Sequence, residues 1–67
     1  MIYVNGEALD AGGELTIRDV LVALEIDPEA AGIAVAVDAE VARRAEWPTR
    51  TLTEGARVEI VRAVQGG

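Results

Sequence analysis

The chain has 67 residues, 51% of them hydrophobic, and its 12 acidic and 6 basic side chains give a formal net charge of −6 at pH 7. A domain this small buries only about 60% of its unfolded surface. Because the chain has no cysteine or histidine, disulfides, thiolate metal sites and a histidine base are excluded. We therefore expect neither an autonomous enzyme nor a bound metal or cofactor. The negative charge argues against nucleic acid as a partner. The sequence shows neither a signal peptide nor an apolar run approaching 18 residues, so we expect a soluble, cytoplasmic protein that does not bind membranes.

The first predicted element is a β-hairpin. The opening residues read MIYVNGEALDA, with Asn5 and Gly6 between two apolar segments. Both residues tolerate the positive φ of a type I′ turn, so this pair is a strong hairpin signal. Two antiparallel strands are therefore expected, the second of them ending at Gly12 and Gly13.

A single amphipathic helix is predicted next. The spacing i, i+3, i+4 and i+7 is met by four apolar residues, namely Ile17, Val20, Leu21 and Leu24. Thr16 is the expected N-cap, and Asp19, near the third helical position, favours the helix dipole. Pro28 is expected to mark the end of the helix.

The second half of the chain predicts further strands. The alternation in IAVAV, residues 33–37, is typical of a strand that buries one face, and Asp38-Ala39 predicts a turn into a short return segment around Val41. The segment RRAEWPTRTL is expected to be an irregular loop because Pro48 cannot donate a ladder hydrogen bond. Glu54-Gly55 then predicts a turn into a final strand of about eight residues.

The resulting order, β-β-α-β-(β)-β, favours an α+β fold of the β-grasp type. It predicts a mixed sheet of four or five strands with one main helix, in which the last strand returns beside the first. We expect one domain over residues 1–64, followed by a flexible reactive tail over residues 65–67.

The tail is the candidate site. Gln65, Gly66 and Gly67 follow the last strand directly and span roughly 10 Å when extended. Because glycine lacks a Cβ, this tail is thin enough to enter a partner's narrow channel and present its carboxylate. The alternative is an inert frayed terminus, as at the ends of many domains.

Other exposed positions are weighed against simpler interpretations. Tyr3, Val61 and Ala63 are expected on the sheet face opposite the helix, as a candidate partner patch or as isolated exposed residues. Trp47 is interpreted as a core residue covering the sheet. Arg43 and Arg44 are interpreted as solvated or ion-paired, with Arg44 retained as a candidate recognition residue.

The ordered set of motifs resembles the ThiS family of thiamin-biosynthesis sulfur carriers, which are β-grasp, ubiquitin-like proteins. The resemblance spans the whole chain: VNGE, TIRDVLVAL, GIAVAVDAEVARRAEW and LTEGARVEIVRAVQGG. The most specific parts are Arg44 with Trp47, Glu54-Gly55 followed by VEIVRAV, and the terminal glycines. Two departures, Ala56 where the family usually has Asp and Arg43 where Pro is common, bear on loop detail and partner preference.

This resemblance implies a carrier that is acted on by enzymes. A ThiF-type adenylating enzyme would use ATP-Mg to activate the Gly67 carboxylate, with Val64, Gln65 and Gly66 serving tail recognition. Sulfur from a cysteine desulfurase or another donor would then give a C-terminal thiocarboxylate, 1-thioglycine at Gly67. Thiazole synthase would consume that sulfur in forming the thiazole ring.

Three alternative functions stay open from the sequence. The small subunit of molybdopterin synthase uses the same thiocarboxylate chemistry, although it is usually longer. A ubiquitin-like modifier would form isopeptide bonds with other proteins. A plain β-grasp interaction module would have an inert tail.

Overall fold

The computed structural model of the chain describes residues 1–10 and 13–63. The predicted tail lies outside the described residues, as do Val64 and Gly12. In chain order, the elements are β1 (Ile2–Val4), β2 (Glu7–Leu9), β3 (Leu15–Thr16), α1 (Ile17–Ala23), β4 (Ile33–Val37), β5 (Glu40–Ala42), a 3₁₀ helix (Arg44–Glu46), β6 (Thr51–Leu52) and β7 (Arg57–Arg62).

A mixed sheet of five strands forms the scaffold, in the order β2-β1-β7-β4-β5. β1 pairs in parallel with β7, whereas the other neighbours pair antiparallel. The predicted α+β fold, with one helix and a last strand beside the first, is confirmed. β7 is therefore the central strand, and its carboxyl end leads into the tail.

The hairpin prediction is also confirmed. Val4 lies opposite Glu7 in the ladder, and the two connecting residues have positive φ, 49° at Asn5 and 84° at Gly6. These angles are those of a type I′ turn, whose twist matches that of the two strands it joins.

The segment predicted as an irregular loop is more ordered than expected. It contains the 3₁₀ helix and β6, and β6 pairs antiparallel with β3, so that Leu15 lies opposite Leu52. The irregular-loop prediction was wrong here because a two-residue strand is too short to show alternation, and its partner is distant in sequence. The last strand, β7, is shorter than predicted, with six residues instead of about eight.

The helix starts as predicted and ends earlier. Thr16 is the N-cap, and its Oγ1 accepts a hydrogen bond from the Asp19 N–H at 3.1 Å. α1 ends at Ala23 and not at Pro28, because Glu25 adopts φ 60° and the Ile26 N–H donates to the Leu21 carbonyl at 2.8 Å. This is a Schellman-type ending, which satisfies the last carbonyls of the helix.

The early ending leaves Leu24 outside the core. It is the C-cap residue of α1 and is 40% exposed, whereas Ile17, Val20 and Leu21 are fully buried. The predicted apolar face of four residues is therefore reduced to three. One turn of the predicted face is lost because the left-handed residue after Leu24 redirects the chain.

The N-cap of α1 predicts a measurable pH dependence of stability. Hydrogen bonds to the Asp19 carboxylate from the Thr16 backbone N–H, at 2.9 Å, and from the Thr16 side chain lower the pKa of Asp19. Since the folded pKa lies below the unfolded value, this contribution is present above about pH 4 and is lost as the pH falls through the folded pKa. Asp19→Asn should therefore lower stability at pH 7 and change it less at pH 2.5.

Urea unfolding at both pH values measures this effect. Glu14→Gln is a suitable control, because it removes the same charge two residues before the cap. An equal loss for Asp19→Asn at pH 7 and pH 2.5 would contradict this role of the carboxylate.

Between α1 and the inner face of the sheet lies a continuous core. It consists of aliphatic residues and one indole: Ile2, Val4, Ile17, Val20, Leu21, Val35, Val37, Ala42, Trp47, Leu52, Ala56, Val58 and Ile60. Val58 and Ile60 face this core, as the strand alternation predicts. Trp47 is 3% exposed, and its Nε1–H donates to the Ala42 carbonyl at 3.2 Å, which confirms the interpretation of this residue as part of the core.

Candidate functional site

The candidate site is the end of the sheet from which the tail departs. Here Val61 lies opposite Ala34 and Arg62 lies opposite Ile33. The ladder is prolonged by one hydrogen bond, because the Ala63 N–H donates to the Gly32 carbonyl at 2.6 Å. We call residues 32–34 and 61–63 the tail-bearing end. The four residues beyond it span at most about 14 Å when fully extended.

Asn5 forms hydrogen bonds to β7 along the edge that faces β1. The carbonyls of Ala56 and Val58 accept hydrogen bonds from the N–H groups of Tyr3 and Asn5, both at 2.9 Å. The next step of this ladder is made by a side chain, because the backbone turns away at Asn5. The Asn5 Nδ2 donates to the Ile60 carbonyl at 3.3 Å, and the Ile60 N–H donates to Oδ1 at 2.8 Å.

The Asn5 carboxamide thus replaces a peptide group of β1. It continues the β1–β7 ladder to within three residues of Ala63. Sequence reasoning identified the turn at Asn5 but missed this role. The signal was that this chain has an asparagine, and not a glycine, at a position with left-handed conformation. Both edges of β7 are therefore secured close to the point where the tail begins.

A substitution series separates the turn from this side-chain contact. Asn5→Gly keeps the left-handed conformation but leaves the Ile60 backbone groups without the carboxamide, so we expect it to lower the free energy of unfolding by about 1–3 kcal/mol. Asn5→Asp keeps the acceptor for the Ile60 N–H and loses the donor to its carbonyl. Chemical denaturation measures both; no loss in Asn5→Gly would show that the contact does not stabilise β7.

The outward face of the sheet carries the predicted patch residues in two places. Tyr3 is 41% exposed and pairs with Arg57, whereas Val61 is 61% exposed and pairs with Ala34. Arg57 and Val61 are four positions apart along β7, which is about 13 Å. Tyr3 therefore shares the face of Val61 without lying beside it.

Another exposed apolar residue, Val41, lies on the same face two strands away from Val61. Val41 is 77% exposed and lies opposite Ala36, which is two residues from Ala34 on β4. Val61, Ala34, Ala36 and Val41 form an apolar strip across three adjacent strands. Val41 was predicted only as part of a return segment, because its place on this face depends on strand register. Ala63 is exposed and immediately follows β7.

The contacts of Arg44 lie within its own chain. Its guanidinium donates to the carbonyls of Pro28 and Ala30, the latter at 2.7 Å, and lies 4.5 Å from the centre of the Trp47 ring. These contacts tie the loop before β4 to the 3₁₀ helix. The structure therefore gives Arg44 a scaffold contact that neither the recognition nor the ion-pair interpretation anticipated.

The amino terminus lies at the opposite end of β7 from Ala63. The Met1 ammonium contacts the Glu54 carboxylate at 2.5 Å, and the Met1 carbonyl accepts from the Gly55 N–H at 2.8 Å. Because β1 and β7 are parallel, Met1 adjoins the start of β7. About 20 Å of strand separates Arg57 from Ala63, which exceeds the reach of the last four residues.

Within residues 1–10 and 13–63, no three acidic side chains come together in a way that could hold a metal ion. Across the same part of the chain, no helix is long and apolar enough to cross a membrane.

Fold and site together define a class: a small α+β domain whose central strand leads directly into the last residues of the sequence. A family model described as the ThiS family matches residues 1–67. The chain is 37% identical over 67 residues to the sulfur carrier protein ThiS of Thermus thermophilus, with all of both chains covered.

Solved structures show the same similarity. The crystal structure of the thiamine biosynthesis protein ThiS from Geobacter metallireducens superposes with a TM-score of 0.77 at 28% identity, covering 98% of this chain and 97% of that one. A solution structure of a thiamine biosynthesis protein from the same organism gives a TM-score of 0.78 at 28% identity, covering 98% and 86%.

The chain belongs to the ThiS family. Members of this family are sulfur carriers in thiamine biosynthesis, and they are carrier proteins rather than enzymes. The resemblance drawn from the sequence motifs is thereby confirmed.

Proposed function

We propose that the chain carries sulfur as a thiocarboxylate on Gly67 and delivers it to thiazole synthase in the cytoplasm. A ThiF-type enzyme activates the carboxylate with ATP-Mg, and a cysteine desulfurase or another donor supplies the sulfur. Family membership supports the carrier role. The chemistry of the terminal carboxylate and the geometry of the tail-bearing end support the individual steps.

Activation replaces a poor leaving group by a good one. A Gly67 carboxylate oxygen attacks the α-phosphorus of ATP, and pyrophosphate leaves. Hydrosulfide, or the terminal sulfur of a donor persulfide, then attacks the carbonyl carbon of the acyl adenylate, and AMP leaves. Hydrosulfide gives the thiocarboxylate directly. The acyl disulfide formed from a persulfide is cleaved by a thiol, which releases the thiocarboxylate and forms a disulfide with the donor's sulfur. This carrier contributes its carboxylate and its shape, while the partner supplies the catalytic groups.

The observation that best supports this proposal is the distance along β7 between the chain's own amine, at Met1, and Ala63, the residue from which the tail departs. The sequence contains no lysine or cysteine, so the Met1 amine is its sole primary amine. That amine is ion-paired with Glu54 at the far end of the sheet. Four residues are too few to reach back to that amine, so an activated Gly67 does not acylate it within the same chain and remains available to an external sulfur donor.

Partners are proposed to dock on the outward face of the sheet at the tail-bearing end. The proposed patch comprises Val61 and Ala63, extended by Val41, with Tyr3 as a separate contact along the same face. Exposed apolar residues next to a reactive end provide area for association. Val64, Gln65 and Gly66 are proposed to occupy the partner's channel. Arg44 contributes indirectly, by holding the loop that precedes β4.

Sulfur delivery is the step that distinguishes the candidate pathways. The chain can be prepared with a C-terminal thiocarboxylate by cleaving an intein thioester with sulfide, which bypasses the adenylating enzyme. With thiazole synthase and its substrates, we expect thiazole formation and recovery of the carboxylate form by intact mass. Sulfur loss only to the large subunit of molybdopterin synthase would overturn the thiamine assignment, and isopeptide conjugates would indicate a protein modifier.

A further inference from the structure

A close contact fixes the point at which the tail leaves the fold. Gly32 has φ +79°, and a Cβ built on it would lie 3.3 Å from the Ala63 Cβ and 3.6 Å from the Ala63 carbonyl oxygen. The same two residues share the 2.6 Å hydrogen bond from the Ala63 N–H to the Gly32 carbonyl. Both the backbone angle and the available space therefore favour glycine here.

Among the described residues, this contact is the one nearest to the C-terminal end of the chain. On the β1 side of β7 the ladder ends at Ile60, with the Asn5 carboxamide. On the β4 side it continues to Ala63 through Gly32. The direction in which the chain leaves the sheet is therefore set from the β4 side, by Gly32 and the strand that follows it, β4.

We propose that Gly32 is a positioning residue for the activation of Gly67. It acts through Ala63 and does not touch the reacting carboxylate; the inference rests on the proposed sulfur-carrier function. The four residues beyond Ala63 span at most about 14 Å, so a displaced starting point shortens or redirects their path into the partner. A misplacement of about 1 Å at a reacting group can cost on the order of a hundredfold in rate, so a shift of a few tenths of an ångström at Ala63 should have a smaller but measurable effect.

Gly32→Ala tests this role, and Gly55→Ala is its matched control. Gly55 has φ +82°, so alanine meets the same backbone strain there, but a Cβ at Gly55 has no atom within 4 Å. Gly55 also lies at the opposite end of β7. The two variants should therefore lose similar stability to strain, and only Gly32→Ala should press on Ala63.

The first readout is the steady-state adenylation of the full chain by its ThiF-type enzyme, followed as pyrophosphate release. We expect kcat/KM to fall about three- to tenfold for Gly32→Ala, because Ala63 shifts by only a few tenths of an ångström, and to stay within about twofold of the parent for Gly55→Ala. Adding Ala63→Gly to Gly32→Ala removes the opposing Cβ and should restore most of the loss, whereas Ala63→Gly alone serves as the fourth corner of the cycle.

The second readout is amide hydrogen exchange at Ala63, which needs no partner enzyme. Exchange should accelerate in Gly32→Ala and stay unchanged in Gly55→Ala. Should Gly32→Ala not fold, Gly32→Asn tolerates the positive φ and still adds the Cβ. Equal adenylation by the Gly32 and Gly55 variants, or an unchanged Ala63 exchange rate, would overturn the inference, whereas failure of the parent chain to be adenylated would overturn the proposed function instead.

Discussion

Trp47→Ala should lower the free energy of unfolding by about 3–5 kcal/mol, the largest stability loss expected from a single substitution in this chain. Its indole is 3% exposed, bonds to the Ala42 carbonyl through Nε1 and lies beneath the Arg44 guanidinium. Total stabilities of roughly 0.05–0.15 kcal/mol per residue are usual. The loss is therefore comparable to the whole stability of a domain this small.

Far-UV circular dichroism during urea unfolding is the appropriate measurement, because the substitution also removes the sole tryptophan of the chain. Trp47→Phe is the matched control: it keeps an aromatic ring and loses the hydrogen bond to Ala42, so a smaller loss, about 1–3 kcal/mol, is expected. A loss below about 1 kcal/mol for Trp47→Ala would contradict the assignment of this residue to the core.

Deletion of Gly67 should abolish sulfur loading and leave the fold intact. The shortened chain ends about 3.3 Å earlier, so its carboxylate no longer reaches the position at which the partner activates it. We expect loading to fall at least about a hundredfold. The free energy of unfolding should change by less than about 0.5 kcal/mol, as for alterations away from packed regions.

Gly67→Ala separates the length of the tail from its width. It keeps the number of residues and adds one Cβ, so a channel that is narrow throughout should reject it as well. Loading is measured as the rate of thiocarboxylate formation, with unfolding followed in parallel. Normal loading of the shortened chain would contradict the assignment of Gly67 as the activated residue.

Local signals in the sequence predicted much of the fold. Asn5-Gly6 specified a turn whose angles depend on two adjacent residues, and Thr16 with Asp19 specified a helix start within one turn of chain. Alternation over residues 33–37 and 57–62 was long enough to assign the inward and outward faces of two strands. In each case, the determining residues are neighbours in the sequence.

Features that depend on distant pairing were not predictable. The β3–β6 pair joins two short segments that lie far apart in the sequence, and the separation of Tyr3 from Val61 follows from the register of β1 against β7. The end of α1 was misplaced because Pro28 is a conspicuous stop signal, whereas a left-handed Glu25 is not.

The same limit applies to the candidate site. Terminal glycines identify a reactive tail from sequence alone, but the residues that hold its base do not stand out. Asn5 bonds to a strand 55 positions away, and Gly32 meets Ala63 only because β4 and β7 are adjacent. Their roles emerge from the sheet order and not from any local motif.

Intact mass of the full chain after incubation with a ThiF-type enzyme, ATP-Mg and a sulfide source tests the central claim most directly. The account predicts one product in which a single sulfur replaces a single oxygen, located by fragmentation at Gly67 and absent when ATP is omitted. An unchanged mass with an enzyme that loads another ThiS protein, or sulfur at any other residue, would contradict it.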